Sequence, residues 1–320
     1  MSDDRLPWQP ESFPLMLAPM QGVTNRILRR LFIEWVRPDA VFTEFVRIKR
    51  VGQKRISAND LLEIEPVGDV PLIVQLIGYG EVELTEAARQ MADAGVEHIN
   101  LNLGCPFGRT TSGLTGGNVL RKPEYLPGIL TGLRSAVPGS LSVKIRSGYD
   151  NPRQIFDLLP LFESVGVDFM ILHPRTVVQK YIGQADHDLT AEVIQSTTLP
   201  VIANGDINTT AFGQKLRAHA DPAGLMLGRG AIADPVLFER LRGQADTAPS
   251  VDERRQILGR LLDGLLPGYS EIFCGETQVL SKIKSAMSAM ESPELHETIM
   301  HLKRIKTLEA FKKQINVLSS

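Results

Sequence analysis

The sequence contains little cysteine, with Cys105 and Cys274 as the two thiols among 320 residues. Two cysteines this far apart match no common metal-ligand spacing, and such low cysteine usage is typical of a reducing compartment. Long apolar runs are also missing, since no stretch approaches the roughly 18 residues of a membrane span. Residues 1–14 have neither the basic start nor the apolar run of a secretory signal. We therefore expect a cytoplasmic monomer that binds no metal or membrane and needs no obligate protein partner.

A strong net charge is missing as well, because the formal charge is −2 at pH 7. This balance provides no general attraction to nucleic acid, so any contact with an anionic polymer must come from local basic patches. Hydrophobic residues make up 43% of the chain and charged residues 22%, which is ordinary for a globular protein with a sizeable core.

Short apolar, strand-like runs alternate with segments of helical periodicity over the first three quarters of the chain. This alternation indicates a parallel sheet of the α/β class. Eight such units, with no glycine-rich dinucleotide fingerprint after the first strand, favour a closed (β/α)8 TIM barrel over an open sheet. The predicted strands are Leu15–Ala18, Ala40–Phe42, Pro71–Leu76, His98–Leu101, Leu141–Ile145, Phe169–Leu172, Pro200–Ala203 and Gly224–Leu227. Predicted helices include Asn25–Val36, Glu81–Ala94, Pro123–Ala136, Pro152–Val165 and Ala231–Arg242.

The last quarter of the chain has no strand-like run and predicts a small helical domain at 243–320, after a barrel domain at 1–242. Its helices are expected to break near Pro267–Gly275 and Glu291–Pro293. Basic residues in this part fit either a solvated helix face or a surface for an anionic partner. They are Lys282, Lys284, Lys303, Arg304, Lys306, Lys312 and Lys313. A second basic cluster, which favours an anionic partner near the barrel mouth, consists of Arg47, Lys49, Arg50, Lys54 and Arg55.

The ends of the predicted strands carry polar residues, and in a TIM barrel the loops after the strands build the functional site. The loops after the seventh and eighth strands commonly hold a phosphate, and here they read Asn204-Gly205-Asp206 and Gly228-Arg229-Gly230. A phosphorylated ligand is therefore expected, although both sequences also fit ordinary turns. The other strand ends are Pro19-Met20-Gln21-Gly22, Thr43-Glu44, Gln75, Asn102 to Pro106, Lys144-Ile145-Arg146 and His173-Pro174-Arg175.

Lys144 ends an apolar strand and is expected to point into the mouth. An ammonium group there suits an anionic or electron-rich ligand, such as the N1–C2 carbonyl edge of a reduced flavin. His173 and Arg175 are two residues apart and should face the same way. A satisfied structural histidine is the alternative interpretation of His173.

Cys105 lies between a glycine and a proline, at the face where the site is expected. The run Gly108 to Gly117 that follows it has the composition of a lid. Cysteines are usually packing residues, which is the interpretation for Cys274. A thiol is mostly protonated at neutral pH, so Cys105 can serve as an acid. A nucleophilic thiolate would need an activating base, an alternative that stays open.

The motif Leu101-Asn102-Leu103-Gly104-Cys105-Pro106 resembles the active-site signature of the tRNA-dihydrouridine synthases, flavin enzymes that reduce the C5–C6 bond of uridine in tRNA. The resemblance extends from Leu17-Ala18-Pro19-Met20 to the terminal helices. Thr43-Glu44-Phe45-Val46-Arg47 and Lys282-Ile283-Lys284 look most like the C-type bacterial branch.

The resemblance implies FMN as cofactor, NADPH as a transient electron donor and tRNA as partner. Cys105 would protonate C5 while hydride passes from the flavin N5 to C6, and Asn102 would orient the uracil or the flavin. Arg146 and Arg175 would contact the base or the RNA backbone. The implied FMN-binding residues are Pro19, Met20, Gln21, Gln75, Lys144, His173, Asn204, Gly205, Asp206, Gly228 and Arg229. Further RNA-binding candidates are Arg47, Arg109, Lys282, Lys284, Lys303, Arg304 and Lys306.

Three positions depart from the family pattern. Phe107-Gly108-Arg109 stands where Ser-x-Lys is common, Asn25 replaces a common aspartate, and His187 replaces a usual tryptophan. These departures bear on RNA contacts and target position more than on the flavin site. Two other functions stay open, a flavin barrel that reduces a small molecule such as dihydroorotate or an enone, and an RNA-binding protein that has lost the chemistry.

Overall fold

A closed ring of eight parallel strands surrounded by helices forms the main body of the protein, in a computed structural model that describes residues 5–9, 11–48, 56–78, 80–106, 114–290 and 292–319. This confirms the expected TIM barrel. The strands in the described residues are β1 (Leu15–Leu17), β2 (Ala40–Phe42), β3 (Val46–Arg47), β4 (Leu72–Ile77), β5 (His98–Leu103), β6 (Leu141–Arg146), β7 (Phe169–His173), β8 (Val201–Asn204) and β9 (Gly224–Leu227).

Helices follow the strands on the outside of the ring and continue into the carboxyl-terminal part of the chain. The barrel helices are α1 (Arg26–Val36), α2 (Ala58–Glu63), α3 (Glu81–Asp93), α4 (Leu126–Ala136), α5 (Gln154–Val165), α6 (His187–Gln195), α7 (Thr210–Ala220), α8 (Arg229–Ala233) and α9 (Leu237–Leu241). The helices of the tail are α10 (Val251–Ile272), α11 (Glu276–Met287), α12 (His296–Arg304) and α13 (Leu308–Ser319).

The ring closes through parallel pairing of β1 with β9 and of β2 with β4. Leu17 pairs with Leu227, and Phe42 pairs with Ile73. All eight predicted strands are present to within two residues at each end. The strand β3 was not predicted: it lies beside the upper end of β4, where Val46 pairs with Leu76. A strand of two residues is too short to show any alternation of apolar and polar side chains.

The interior of the barrel has two layers. In the lower one, which we call the apolar layer, inward side chains form a dry cluster, and Trp8 closes the bottom with its ring 4.7 Å from that of Phe169. Its main members are Met16, Phe42, Ile73, Phe169, Ile202 and Met226. One step higher along β4 and β8 the inward side chain becomes polar, and β5 and β6 contribute further polar side chains to the interior. This polar layer consists of Gln75, Asn100, Asn102, Ser142, Lys144 and Asn204.

The helical tail packs on the outside of the barrel, against α1. One buried apolar cluster includes Leu28 and Phe32 of α1 together with Leu261 and Leu265 of α10. Asn25 caps α1 by accepting bonds from two backbone amides and also donates a hydrogen bond of 3.0 Å to the Tyr269 hydroxyl. The tail and the barrel thus share a core, and the boundary between residues 242 and 243 stays a prediction.

One of the helix predictions was wrong at a proline, whereas the break expected near Pro267–Gly275 is present between α10 and α11. The helix expected at Ala231–Arg242 is divided into α8 and α9, because Pro235 disfavours helical backbone at the preceding residue. In contrast, α10 continues through Pro267 and ends at Ile272, so the expected break falls after that proline. In the described part of the chain, no helix is both long and apolar enough to cross a membrane.

Candidate active site

A cleft at the mouth of the barrel collects polar side chains from the ends of several strands, as parallel barrels do. It consists of two connected cavities. The larger encloses about 420 Å³ and is lined by residues such as Cys105, Asn102 and Gln75. The smaller lies between the loops after β8 and β9, beside Gly205 and Gly228. The residues that line both cavities are Pro19, Met20, Lys144, His173, Tyr181 and Arg229.

Lys144 projects from β6 into the centre of the cleft. Its Nζ donates a hydrogen bond of 2.8 Å to Oδ1 of Asn204, whose amide nitrogen donates to the carbonyl of Met226. Burial lowers the pKa of Lys144 to about 7, and the positive charge of Arg146 contributes in the same direction. An anion bound beside Nζ would reverse this shift, because it stabilises the ammonium form.

His173 lies at the end of β7 and is a buried, neutral imidazole, because burial and the charge of Lys144 hold its pKa well below the ordinary value. Its Nε2 lies 3.0 Å from a guanidinium nitrogen of Arg175, which confirms that the two side chains face the same way. Arginine has no acceptor, so Nε2 accepts and the proton is on Nδ1. This assigned tautomer makes Nδ1 the donor of His173.

The loop after β8 is organised by Asp206, which adopts a left-handed backbone with φ of 55°. One carboxylate oxygen accepts hydrogen bonds from Arg175 and from the amide of Ala185, and the other lies 3.7 Å from Arg229. Asp206 therefore positions two arginines. Asp206 also lines the smaller cavity, and its predicted contact with a phosphate stays a prediction.

Gly205, in the same loop, has a φ of 122°, and a Cβ there would lie 3.0 Å from the imidazole of His173. Glycine is thus needed for backbone conformation and space. The carbonyl of Gly205 accepts a hydrogen bond of 2.9 Å from Nε2 of His187. His187, one of the departures from the family pattern, therefore supports the loop after β8, which is one of the two loops expected to hold a phosphate.

The loop that carries Cys105 is held by the side chain of Asn102. Oδ1 of Asn102 accepts from the amides of Gly104 and Cys105 at 3.1 and 3.0 Å, while its amide nitrogen donates to Gln75. The Cys105 carbonyl accepts from the amide of Gly117, where a Cβ would come within 3.0 Å of that same oxygen. Cys105 is half-buried and faces the cleft. Residues 107–113, which include Arg109 and most of the predicted lid, lie outside the described residues.

Gln75 belongs to a chain of hydrogen bonds that crosses the polar layer. It donates to Asn100, which in turn donates to Ser142, with distances of 2.8 and 2.9 Å. These three side chains are fully buried, so their hydrogen bonds offset the cost of removing them from water. Gln75 therefore lines the cleft from below as part of a fixed floor.

Arg146 and Arg175 are each 2% exposed, and each donates to acceptors within the protein, Arg146 to backbone carbonyls and Arg175 to one carbonyl and two side chains. Arg146 donates to Gly104, Thr176 and Lys180, and Arg175 donates to Gly183. Their guanidinium groups hold the loops after β5 and β7. The predicted contact of Arg175 with RNA is not favoured by this placement, whereas Arg146 also lines the larger cavity.

The remaining basic candidates lie around the rim and in the tail. Arg47 is exposed on β3, with its guanidinium 5.9 Å from the ring of Phe45, which lines the cleft. Lys282, Arg304 and Lys306 are exposed, whereas Lys284 donates to the carbonyl of Ile305. Lys303 lines a separate groove between the tail and the loop after β8.

Near the cleft, Tyr181 was missed in the sequence, and Glu44 was noted there only as part of a polar strand end. Tyr181 lines both cavities, and its ring centroid lies 5.3 Å from Arg146 and 4.7 Å from Arg229. An aromatic residue in a mouth loop was the available signal. Glu44 accepts a hydrogen bond from the amide of Gly22, and burial raises its pKa to about 7. It thereby holds the loop that carries Met20 and Gln21.

No group of three or more His, Cys, Asp or Glu that could hold a metal ion occurs in the part of the chain that the structure describes. The donors around the cleft suit an organic anion instead. Arg229 and the two glycine-containing loops lie at one end, and Lys144 lies in the middle. This donor set fits a ligand with a phosphate at one end and an electron-rich ring edge near Lys144.

Known proteins of similar sequence carry consistent names. The family model for dihydrouridine synthase (Dus) matches residues 16–317. A probable tRNA-dihydrouridine synthase from Rhodobacter capsulatus is 31% identical, over 80% of this chain and 81% of the relative. The tRNA-dihydrouridine(16) synthase of Cupriavidus necator is 32% identical over 77% and 79%, respectively. The tRNA-dihydrouridine synthase B of Salmonella typhimurium is 31% identical, over 73% of this chain and 72% of the relative. The likeness to the C-type branch stays a prediction.

Solved structures with a similar fold include an old yellow enzyme homologue from Zymomonas mobilis, with a TM-score of 0.54. That match has 12% identity and covers 77% of this chain and 92% of the other. Morphinone reductase aligns with a TM-score of 0.52 and 14% identity, over 75% and 88% of the two chains. At this identity the likeness supports the barrel fold alone. Because the Dus model matches nearly the whole length, the chain belongs to the dihydrouridine synthase family.

Proposed function

We propose that this protein is a flavin-dependent tRNA-dihydrouridine synthase, which reduces the C5–C6 bond of specific uridines in tRNA. The observation that carries the proposal is that Cys105 and Lys144 line one cleft at the barrel mouth, next to the phosphate-type loops. Membership of the Dus family and the names of the relatives support the substrate class. Unlike a small-molecule reductase, such an enzyme must also admit a nucleotide that is part of a large RNA.

FMN is the proposed cofactor, because the cleft offers one anchored arginine for its phosphate and one buried lysine for its ring. Arg229 would bind the phosphate beside Gly205 and Gly228, and Lys144 would lie at the polar edge of the ring, with Gln75 and His173 nearby. Pro19, Met20 and Gln21 would flank the ring. When bound and reduced by NADPH, FMN would supply the hydride that adds to C6 of the uracil.

Cys105 is the proposed acid for C5. Its loop is fixed on both sides, by Asn102 through two amide hydrogen bonds and by Arg146 through the carbonyl of Gly104. Because the loop is fixed, the thiol is already positioned for transfer of its proton to C5. After proton transfer, the thiolate would lie close to the guanidinium of Arg146 and the ammonium of Lys144, which stabilise negative charge.

Lys144 is proposed to hold negative charge in the cleft. Its pKa of about 7 means that the ammonium is only partly populated near neutrality. Binding of an anionic ring edge would draw a proton onto Nζ. Asn204 accepts from that nitrogen and keeps it directed at the centre of the cleft.

The proposed RNA contacts are Arg47 near the mouth and the exposed cations of the tail, Lys282, Arg304 and Lys306, with Lys303 in its groove. Phosphate contacts of this kind position the RNA and carry no sequence information. We also propose that the enzyme acts as a monomer in the cytoplasm.

The direct test is to incubate the purified protein with NADPH, FMN and an unmodified tRNA transcript, and to map dihydrouridine by mass spectrometry. We expect a mass gain of two hydrogens at defined uridines. NADH in place of NADPH shows the donor preference. Lack of dihydrouridine in a panel of tRNA transcripts, from protein that binds FMN, would contradict the proposal.

A second test is genetic. Dihydrouridine in tRNA is mapped in cells with and without the gene, and we expect loss of the modification at the positions that this enzyme serves. Complementation by the wild-type gene restores these positions, and the Cys105→Ala gene does not. An unchanged map in the deletion strain would argue against tRNA as the substrate.

A further inference from the structure

The loop between β7 and α6 presents apolar side chains to water directly beside the cleft. Val178 is 50% exposed, Tyr181 46% and Ile182 77%, the last being the highest value among the large exposed hydrophobic residues that the structure describes. We call these three residues the loop tip. Exposed apolar side chains that cluster at the rim of a site are typical of a surface that is covered when a partner binds.

The loop tip is held in place rather than loosely attached. Arg146 donates to the carbonyls of Thr176 and Lys180, and Arg175 donates to the carbonyl of Gly183 at 2.6 Å. The amide of Ile182 donates to the carbonyl of Gln179 at 2.8 Å. Two buried guanidinium groups therefore fix the backbone on both sides of Ile182. Because the backbone is already ordered, little conformational entropy is lost when a partner covers this side chain.

The position of the loop tip connects it to the reaction. Tyr181 lines both cavities of the cleft and has the guanidinium groups of Arg146 and Arg229 within 5.3 Å of its ring centroid. Ile182 is the next residue and points to solvent. The loop tip therefore lies where a polymer that delivers one of its groups into the cleft can contact it.

A structured RNA presents a specific difficulty at this point, because its bases are stacked. A uridine must leave the stack before its C5 can reach a thiol in a cleft, and unstacking costs a few kcal/mol. Apolar side chains inserted beside the vacated position, as minor-groove binding proteins insert them between base steps, offset this cost.

Resting on the proposed function, we infer that the loop tip is an apolar wedge for structured RNA. Ile182, supported by Val178, packs against the bases next to the target uridine while this uridine enters the cleft. Tyr181 connects the wedge to the cleft. RNA is the proposed partner because the loop tip lies beside the cleft that the proposed function assigns to a uridine of tRNA.

The test is a set of exposed-residue variants assayed on a full-length tRNA transcript. For Ile182→Ser we expect kcat/KM to fall by about 10-fold, because the burial of one large aliphatic side chain is lost. Ile182→Met keeps the apolar bulk and should recover most of the activity. Val317→Ser, a matched control at a 62% exposed valine on α13, should behave as wild type.

Salt dependence separates this contact from an electrostatic one. Ile182→Ser removes no charge, so the slope of log affinity against log salt should equal that of wild type. The Lys303→Ala/Arg304→Ala/Lys306→Ala variant should have a flatter slope, because fewer counterions are released. A flatter slope for Ile182→Ser, or an equal loss of activity for Val317→Ser, would overturn the wedge.

Base unstacking can be observed directly with 2-aminopurine placed next to the uridine that mass spectrometry identifies. Binding of wild type should raise the fluorescence, and Ile182→Ser should bind with a smaller rise. Wild-type kcat/KM and fluorescence in Ile182→Ser would overturn the wedge while the proposed function stands. Absence of dihydrouridine with wild type would instead overturn the proposed function. A loop tip that cross-links to a protein but not to tRNA would show another kind of partner.

Discussion

The two layers of the barrel interior differ in chemistry although they lie on the same strands. On β4 the inward residue changes from Ile73 to Gln75, and on β8 it changes from Ile202 to Asn204. Two residues along a strand correspond to about 7 Å. The apolar layer below is dry and tightly packed, whereas each side chain of the polar layer above has a hydrogen-bond partner.

This difference indicates that the apolar layer mainly stabilises the fold, whereas the polar layer mainly serves the cleft. Burial of large apolar side chains in the lower layer stabilises the fold, while the polar layer contributes little net free energy and instead fixes the floor of the cleft. Residues above this boundary should change binding and catalysis with small effects on unfolding. Residues below it should do the opposite.

The largest expected effect lies above the boundary. Cys105→Ala should lower kcat for dihydrouridine formation by about 100-fold to 10,000-fold, because general acids contribute this much. The free energy of unfolding should change by less than about 0.5 kcal/mol, since the half-buried thiol lines the open cleft. Single-turnover assays and urea unfolding measure the two quantities.

The second thiol provides the control for this variant. Cys274 is exposed in the tail, between α10 and α11, so Cys274→Ala should keep full activity. Full turnover by Cys105→Ala would show that another group protonates C5. A large loss of stability would show that Cys105 belongs to the packed interior.

The corresponding change below the boundary is Phe169→Ala. Phe169 is fully buried and packs edge-on against Trp8, so its removal should lower the free energy of unfolding by about 3–5 kcal/mol. The fraction that remains folded should bind FMN and turn over nearly as wild type does. Loss of FMN affinity in folded Phe169→Ala, measured well below its melting temperature, would show that the two layers are coupled. Phe169→Leu, which retains most of the volume, should be clearly more stable than the alanine variant.

The apolar layer was largely predictable from the sequence, and the boundary above it was predictable in part. Strands buried on both faces appear as continuous apolar runs, so all eight were found, and their polar ends identified Gln75, Lys144 and Asn204. The short β3 carries no such run. To predict that the last barrel helix is divided into α8 and α9, one would have had to know that Pro235 is not tolerated within it.

The organisation above the boundary was less predictable. Arg146 and Arg175 were interpreted as RNA contacts from residue type and position, but backbone carbonyls of folded loops accept from both, and the side chains of His173 and Asp206 also bind Arg175. Which carbonyls approach an arginine depends on loop conformation, and periodicity carries no information about it. Tyr181 was missed for the same reason.

A smaller effect is expected for the phosphate end of the cleft. Arg229→Ala removes a charged donor, so FMN should dissociate about 10-fold to 100-fold more readily, corresponding to roughly 1.5–3 kcal/mol. Flavin fluorescence during titration measures this affinity. Arg255→Ala, which removes an equal charge from the exposed first turn of α10, is the control. Equal FMN affinity in Arg229→Ala and wild type would place the phosphate elsewhere.

The last test probes the boundary itself through the pH dependence of stability. In the flavin-free protein the pKa of Lys144 is about 7, well below that of an unfolded lysine. Above pH 7 the unfolded chain therefore binds more protons at this site than the native protein does, and native stability rises with pH, by at most about 1.4 kcal/mol per pH unit.

Lys144→Met removes this dependence. Below pH 7 both states of the wild-type lysine are protonated and the full cost of the buried charge is present, so the variant should have its greatest advantage in stability there. That advantage should shrink as the pH rises from 7 toward 10. Urea unfolding of both proteins at pH 6, 8 and 9.5 gives the difference directly. If the difference in stability between the two proteins is the same at all three pH values, Nζ stays protonated in the flavin-free protein. The polar layer would then hold a permanent charge that only a bound anion could balance.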